Sequence, residues 1–229
     1  MLFRRLTTTA ICSFSICCCF LIFGGQVTAQ TSTTTKTKPE FPSLESVTKG
    51  YTEVKSADKK TFMRVWKREK DGQMLAELPK DFASPSHRQF IATTISGGVI
   101  FAGLQTDDYY VYWKRFGKRV ALIQENLNIR GSDEESKASV KRIFTDRVLL
   151  ELPILTVVPR GGPVIDLDSL LVQNASVFFG GRNRVTRPNL ITIKEAKCFA
   201  ENTEIAVEVP VSGGNLQTLH YSILSLIHI

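Results

Sequence analysis

Residues 203–223 read TEIAVEVPVSGGNLQTLHYSI. Ile205, Val207 and Val209 alternate with polar or small residues, and so do Leu219, Tyr221 and Ile223. Period-two alternation marks a strand with one buried face. Between the two runs, Ser212-Gly213-Gly214-Asn215 supplies turn chemistry. The segment therefore reads as a β-hairpin. Its second arm, Leu216–Ile223, is expected to leave an open edge that promotes association.

The same plan recurs upstream. KKTFMRVWKREKDGQMLAELP holds two short extended runs around Lys70-Asp71-Gly72, and Asp-Gly between such runs is a hairpin signal. RQFIATTISGGVIFAGLQ repeats it with Gly97-Gly98 as the break, and DDYYVYWKRFGKRVALIQENL repeats it around Phe116-Gly117-Lys118. GSDEESKASVKRIFTDR differs. Ser132 and Glu135 match a capping box, acidic residues lead and basic ones follow, and Val140, Ile143, Phe144 and Val148 fall at helical spacing. This predicts a helix over about 133–147. LLELPILTVVP returns to extended chain with Pro153 as a kink, and VIDLDSLLVQ predicts a short helix near 167–172 begun by Asp166 or Asp168. The class is α+β, predominantly antiparallel β hairpins or a meander.

The 229 residues begin with a different texture. Arg4 and Arg5 precede an apolar run from Ala10 to Phe23, and Val27-Thr28-Ala29 places small residues where a signal peptidase reads. This is the pattern of a secretory signal peptide over residues 1–29. The run is shorter than the ~20 residues a membrane span needs, so no stable anchor is expected after cleavage. Residues 30–40, QTSTTTKTKPE, read as a flexible linker. Cleavage removes Cys12, Cys17, Cys18 and Cys19 and leaves Cys198 alone, so no intramolecular disulfide is expected in an exported protein, periplasmic or extracellular. Loss of Arg4 and Arg5 leaves 27 basic against 22 acidic residues, well interspersed, which argues against a nucleic-acid arm.

Catalytic motifs are absent from the sequence: no HExxH, no phosphate loop, no nucleophile elbow. His87, His220 and His228 lie far apart, without zinc-ligand spacing. His87 reads as a turn residue and His220 as an ordinary cross-strand residue. Cys198 reads as a buried thiol, with capping of a partner's zinc as the sharper alternative. Asn174-Ala175-Ser176 matches a glycosylation sequon. The aromatic strand 109–115 offers one candidate ligand surface, Tyr110, Tyr112 and Trp113, set against a central strand with aromatics on both faces.

The succession FMRVWKREKDGQMLAELPKD, FIATTISGG, VYWKRFGKRVALIQENLNIRG, VKRIFTDRVLLELPIL, CFAENTEIAVEVP and LQTLHYSI resembles the N-terminal region of a family of bacterial exported zinc-dependent metalloproteases. The resemblance covers residues 41–223 and rests on the order and spacing of strand-and-turn blocks. It implies a non-catalytic, β-rich module, with the downstream peptidase domain of the same chain as its partner. Zinc is expected in that missing domain, held by an extended HExxHxxGxxH motif whose Glu activates water. None of those positions exists in this sequence, so no catalytic, cofactor-binding or metal residue is assigned to it. Residues 224–229, LSLIHI, translate CTG-TCT-CTT-ATA-CAC-ATC, a transposon-end sequencing adaptor, and are expected to be an adaptor scar outside the fold. The alternative reading is a stand-alone envelope or extracellular binding module that uses strand 109–115.

Overall fold

A computed structural model describes residues 39–226, except 57, 101, 128 and 180–184. The expected signal peptide, nearly all of the linker and His228 lie outside the described residues.

The chain is β-rich, with two antiparallel sheets and few helices. In chain order, α1 (Leu44–Val47) leads to β1 (Thr52–Glu53), β2 (Arg64–Lys67), β3 (Met74–Glu77), β4 (Gln89–Gly97), β5 (Gln105–Phe116) and β6 (Arg119–Gln124). Then come α2 (Glu134–Ile143), β7 (Arg147–Pro153), β8 (Thr156–Val157) and β9 (Pro163–Asp166). A π-helical turn (Ser169–Gln173), α3 (Ala175–Phe178), β10 (Thr192–Cys198), β11 (Asn202–Pro210) and β12 (Leu216–Ser225) complete it. The smaller sheet has the order β1-β2-β3-β9-β8, and the larger has β10-β11-β12-β4-β5-β6-β7.

The hairpins expected around Asp71-Gly72, Gly117 and Gly213-Gly214 form, whereas the one expected within 88–105 does not: the described residues between Gly97 and Gln105 form a loop, with Ile100 exposed, and β4 pairs with the next strand. β2 pairs β3 across the Asp71-Gly72 turn, where Arg68 grips Asp71 with two hydrogen bonds of 2.8 and 2.7 Å. β4 pairs β5, and β5 pairs β6. β11 and β12 pair in register from Asn202↔Leu224 to Pro210↔Leu216. Their turn carries Gly213 and Gly214 at φ of 90° and 84°, a region open to glycine and strained for other residues.

The open edge expected at β12 is not there. β12 lies inside the sheet, with β11 on one side and β4 on the other, so its backbone groups are paired on both flanks. Periodicity reports which face of a strand is buried, and it carries no information about sequence-distant neighbours. The strand also continues past Ile223: Leu224 pairs with Phe90 and Ser225 with Gln89.

One core joins the two sheets. Val65, Met74, Ala76 and Ile165 of the smaller sheet meet Ile91, Val111, Leu122, Leu152, Val207, Leu219 and Tyr221 of the larger. Tyr221 is wholly buried. Its ring packs edge-on against Phe178 at 5.6 Å, and its hydroxyl donates to the Leu171 carbonyl at 3.3 Å. Phe178 in turn meets Tyr109 edge-on at 5.4 Å. The turn and helix between β9 and β10 thus plug the core.

The helices are shorter than the sequence suggests. The longer one spans Glu134–Ile143, and its cap is Asp133 in place of Ser132. The Asp133 carboxylate accepts the Ser136 backbone N–H at 2.8 Å and the Ser136 hydroxyl at 2.7 Å. Val148 belongs to β7, and Phe144 has already left helical geometry. α2 buries no residue, so no core contact extends it. The short helix expected near 167–172 is a helical turn over Ser169–Gln173 with Asp168 at its N-cap, and the first residues of VIDLDSLLVQ belong to a strand instead. Pro163–Asp166 completes the smaller sheet, and the helical turn starts at Ser169 after Asp166 has accepted the Asp168 and Ser169 N–H groups.

Candidate functional site

β5 sorts its aromatic residues by parity. Val111 and Trp113 point into the core, while Tyr110 and Tyr112 lie on the outer face of the larger sheet. Trp113 is 2% exposed, and its indole N–H donates to Gln89 Oε1 at 3.1 Å. The three candidate ligand residues are therefore not one surface. Tyr110 and Tyr112 share a face, and Trp113 belongs to the opposite one. The cause is the alternation of side chains along any strand.

Tyr112 is the hub of a small polar network. Its hydroxyl donates to Asp146 Oδ2 at 2.8 Å, and Asp146 Oδ1 accepts the Asn126 N–H at 3.1 Å. The Arg88 guanidinium lies over the Tyr112 ring at 4.4 Å and donates to Glu125 Oε2 at 2.6 Å. Burial first, and the bond to Asp146 second, push the Tyr112 phenol up to about 12. Asp146 follows α2 in sequence, so its two bonds staple the end of the helical segment to the sheet. This clamp also explains why the helix stops before the predicted residue 147.

Two hollows flank the clamp. One, about 530 Å³, is bounded by Phe90, Asp108, Tyr110, Leu127 and Arg147. The other, about 700 Å³, runs between the sheet and α2, with Tyr112, Lys114, Ile129, Lys141 and Phe144 on its walls. Val140 of α2 and Phe144 just past its end line this hollow without closing it, and Phe144 is exposed. Sequence reasoning missed Arg88, Glu125 and Asp146. The available signal was an isolated Asp placed right after a basic amphipathic segment.

His220 sits on the outer face of β12, across β4 from the tyrosines. Its Nε2 lies 2.8 Å from Glu204 Oε2, which also accepts the Ser222 hydroxyl at 2.5 Å. Asn202 donates to the other carboxylate oxygen. The imidazole does not stand between the serine and the acid, as nucleophile activation requires. The arrangement is a satisfied cross-strand cluster. His87 is partly buried in the loop before β4, and its Nδ1 has no partner among the described residues. Cys198 is 3% exposed, and burial pushes its thiol up to about 11. A protonated, enclosed thiol cannot reach a partner's zinc. Asn174 spends its side-chain amide on the Ser169 carbonyl at 2.6 Å. Among the described residues no three His, Cys, Asp or Glu side chains converge to hold a metal, and no helix is long and apolar enough to cross a membrane.

Comparison with known proteins finds no matching family model, no matching curated protein and no matching solved structure.

Proposed function

We propose that this chain is a non-catalytic interaction module whose working face is the groove between α2 and the outer face of the larger sheet. The observation that carries this reading is the state of α2. Its Val140, with Phe144 just past its end, lines an open groove, Phe144 is exposed, and the helix buries none of its residues. Exposed apolar side chains gathered beside a groove mark a contact surface. The polar groups nearby are tied to one another, Tyr112 to Asp146 and Arg88 to Glu125, and none is poised against a reacting centre.

In keeping with the sequence resemblance, the module is the N-terminal part of an exported zinc-dependent metalloprotease. It packs against that protein's peptidase domain and gates its cleft or keeps it latent. Interfaces between domains of one chain are of modest size and partly polar, as this groove is. The test has two steps. The native gene is read beyond the codon for Ile223, and an HExxHxxGxxH segment in frame is expected. The separately produced peptidase domain is then titrated with the chain and with Phe144→Glu. Binding weakened about tenfold by the substitution supports the reading. A frame without a zinc motif sinks the metalloprotease assignment.

A second reading, a stand-alone envelope or extracellular binding module, draws on Tyr110 beside the smaller hollow. A binding screen of glycans and peptides in which Tyr110→Ala abolishes binding and Phe144→Glu does not would favour it.

A further inference from the structure

The geometry points to an acidic peptide segment bearing a bulky apolar side chain as the occupant of the α2 groove. This rests on the interaction-module reading and names the chemistry that the face accepts. Two kinds of wall meet there. Ile129, Val140 and Phe144 supply apolar surface. Lys114, Arg130, Lys137 and Lys141 supply positive charge.

The carboxylates of the lining are already engaged. Glu125 is paired with Arg88 at 2.6 Å, and Asp146 accepts from Tyr112 and Asn126. Lys137 pairs with Glu134 at 2.6 Å, but both side chains are exposed, and such a pair is worth little. Arg130 and Lys141 have no ion pair among the described residues. The groove therefore carries surplus positive charge beside uncovered aliphatic and aromatic surface. A ligand with carboxylates gains attraction and faster encounter. One that also carries an apolar side chain gains burial against Phe144 and Val140.

The mixture favours peptide over polymer. A nucleic acid strand or sulfated sugar polymer is held by a basic track and open ring faces. Here the cations are interleaved with aliphatic side chains, and the Arg88 guanidinium covers the Tyr112 ring at 4.4 Å.

The test is fluorescence anisotropy on the purified full chain with a labelled peptide, Glu-Glu-Leu-Glu-Phe-Glu-Glu. Saturable binding is expected. It should weaken about tenfold in Lys137→Glu/Lys141→Glu, which alters two exposed helix positions, and in Arg130→Glu, which lies outside the helix. Replacing Leu and Phe of the peptide by Ala should weaken it by a similar factor. Raising salt from about 0.05 to 0.5 M should loosen it further. Absence of binding, equal binding of a Lys-for-Glu peptide, or indifference to both variants overturns the assignment. So does tighter binding of a heparin oligosaccharide or an oligothymidylate. A chain that fails this test yet binds the peptidase domain through Phe144 loses only the acidic-peptide assignment. A chain that binds the peptide and ignores the peptidase domain keeps the assignment and loses the parent-domain reading.

Discussion

The indole N–H of Trp113 donates to Gln89 Oε1 at 3.1 Å, and both residues are almost wholly buried. β4 and β5 are thereby bolted together through a polar bond inside an apolar core. Gln89 Nε2 has no partner among the described residues, so the amide depends on this one bond. Trp113→Phe should leave the carbonyl end unsatisfied and also open a void. A loss of about 2–4 kcal/mol in urea unfolding is expected from the two effects together. A loss below about 0.5 kcal/mol would mean that the bond contributes nothing.

Asp168 predicts an unusual pH dependence. Burial, then the nearby Asp166 and Asp71 carboxylates, raise its acid to about 6, against the lowering effect of the Met74 N–H and Arg68. The folded state thus holds a proton that the unfolded chain releases at a lower pH. Stability from this group is fully present below about pH 4 and is lost as pH rises through about 6. Asp168→Asn keeps an acceptor for the Met74 N–H, 3.1 Å away in the wild type, and removes the charge. Its melting temperature at neutral pH should exceed that of the wild type, with the gap closing toward pH 4. An equal gap at both pH values would refute the assignment.

Two glycines separate collision from conformation. Gly98 and Gly103 have φ of 87° and 95°. A Cβ on Gly98 would stand 2.3 Å from the Leu216 carbonyl oxygen, whereas one on Gly103 would meet nothing within 4 Å. Gly103→Ala should cost about 1–2 kcal/mol, the penalty of left-handed backbone alone. Gly98→Ala adds a clash with the backbone of β12 and should cost at least about 3 kcal/mol. Equal melting temperatures for the two variants would rule out the close approach.

Cys198 should be silent. In a chain with Cys12, Cys17, Cys18 and Cys19 replaced by Ser, an aromatic disulfide reagent at pH 8 should release no thiolate before denaturant is added. One equivalent should follow in denaturant. Rapid reaction of the folded chain would mean that the thiol is accessible after all.

Much of the strand pattern was legible because alternation and turn residues are local. The faces of β11 and β12 followed from Ile205 to Ile223, and the hairpins followed from Asp71-Gly72 and Gly117. The division into two sheets was not legible, because β3 pairs with β9 and β12 with β4 across long stretches of chain. The candidate site was legible only in part. The aromatic strand was visible, but which of its rings faces outward depends on where the partner sheet lies. The clamp at Asp146 joins residues from β5, the loop after β6 and the segment after α2, a meeting that no spacing rule announces.

The position of β12 between β11 and β4 also has a consequence in time. β4 to β7 leave the ribosome well before the strand that must lie against β4. Until that strand arrives, β4 keeps one side unpaired, and the core face it shares with β5 and β6 is only partly roofed. Contacts so distant in sequence form slowly and leave intermediates prone to association. The docking of β12 is therefore the event that turns two incomplete half-sheets into one, and a delay at that step exposes the growing chain to aggregation.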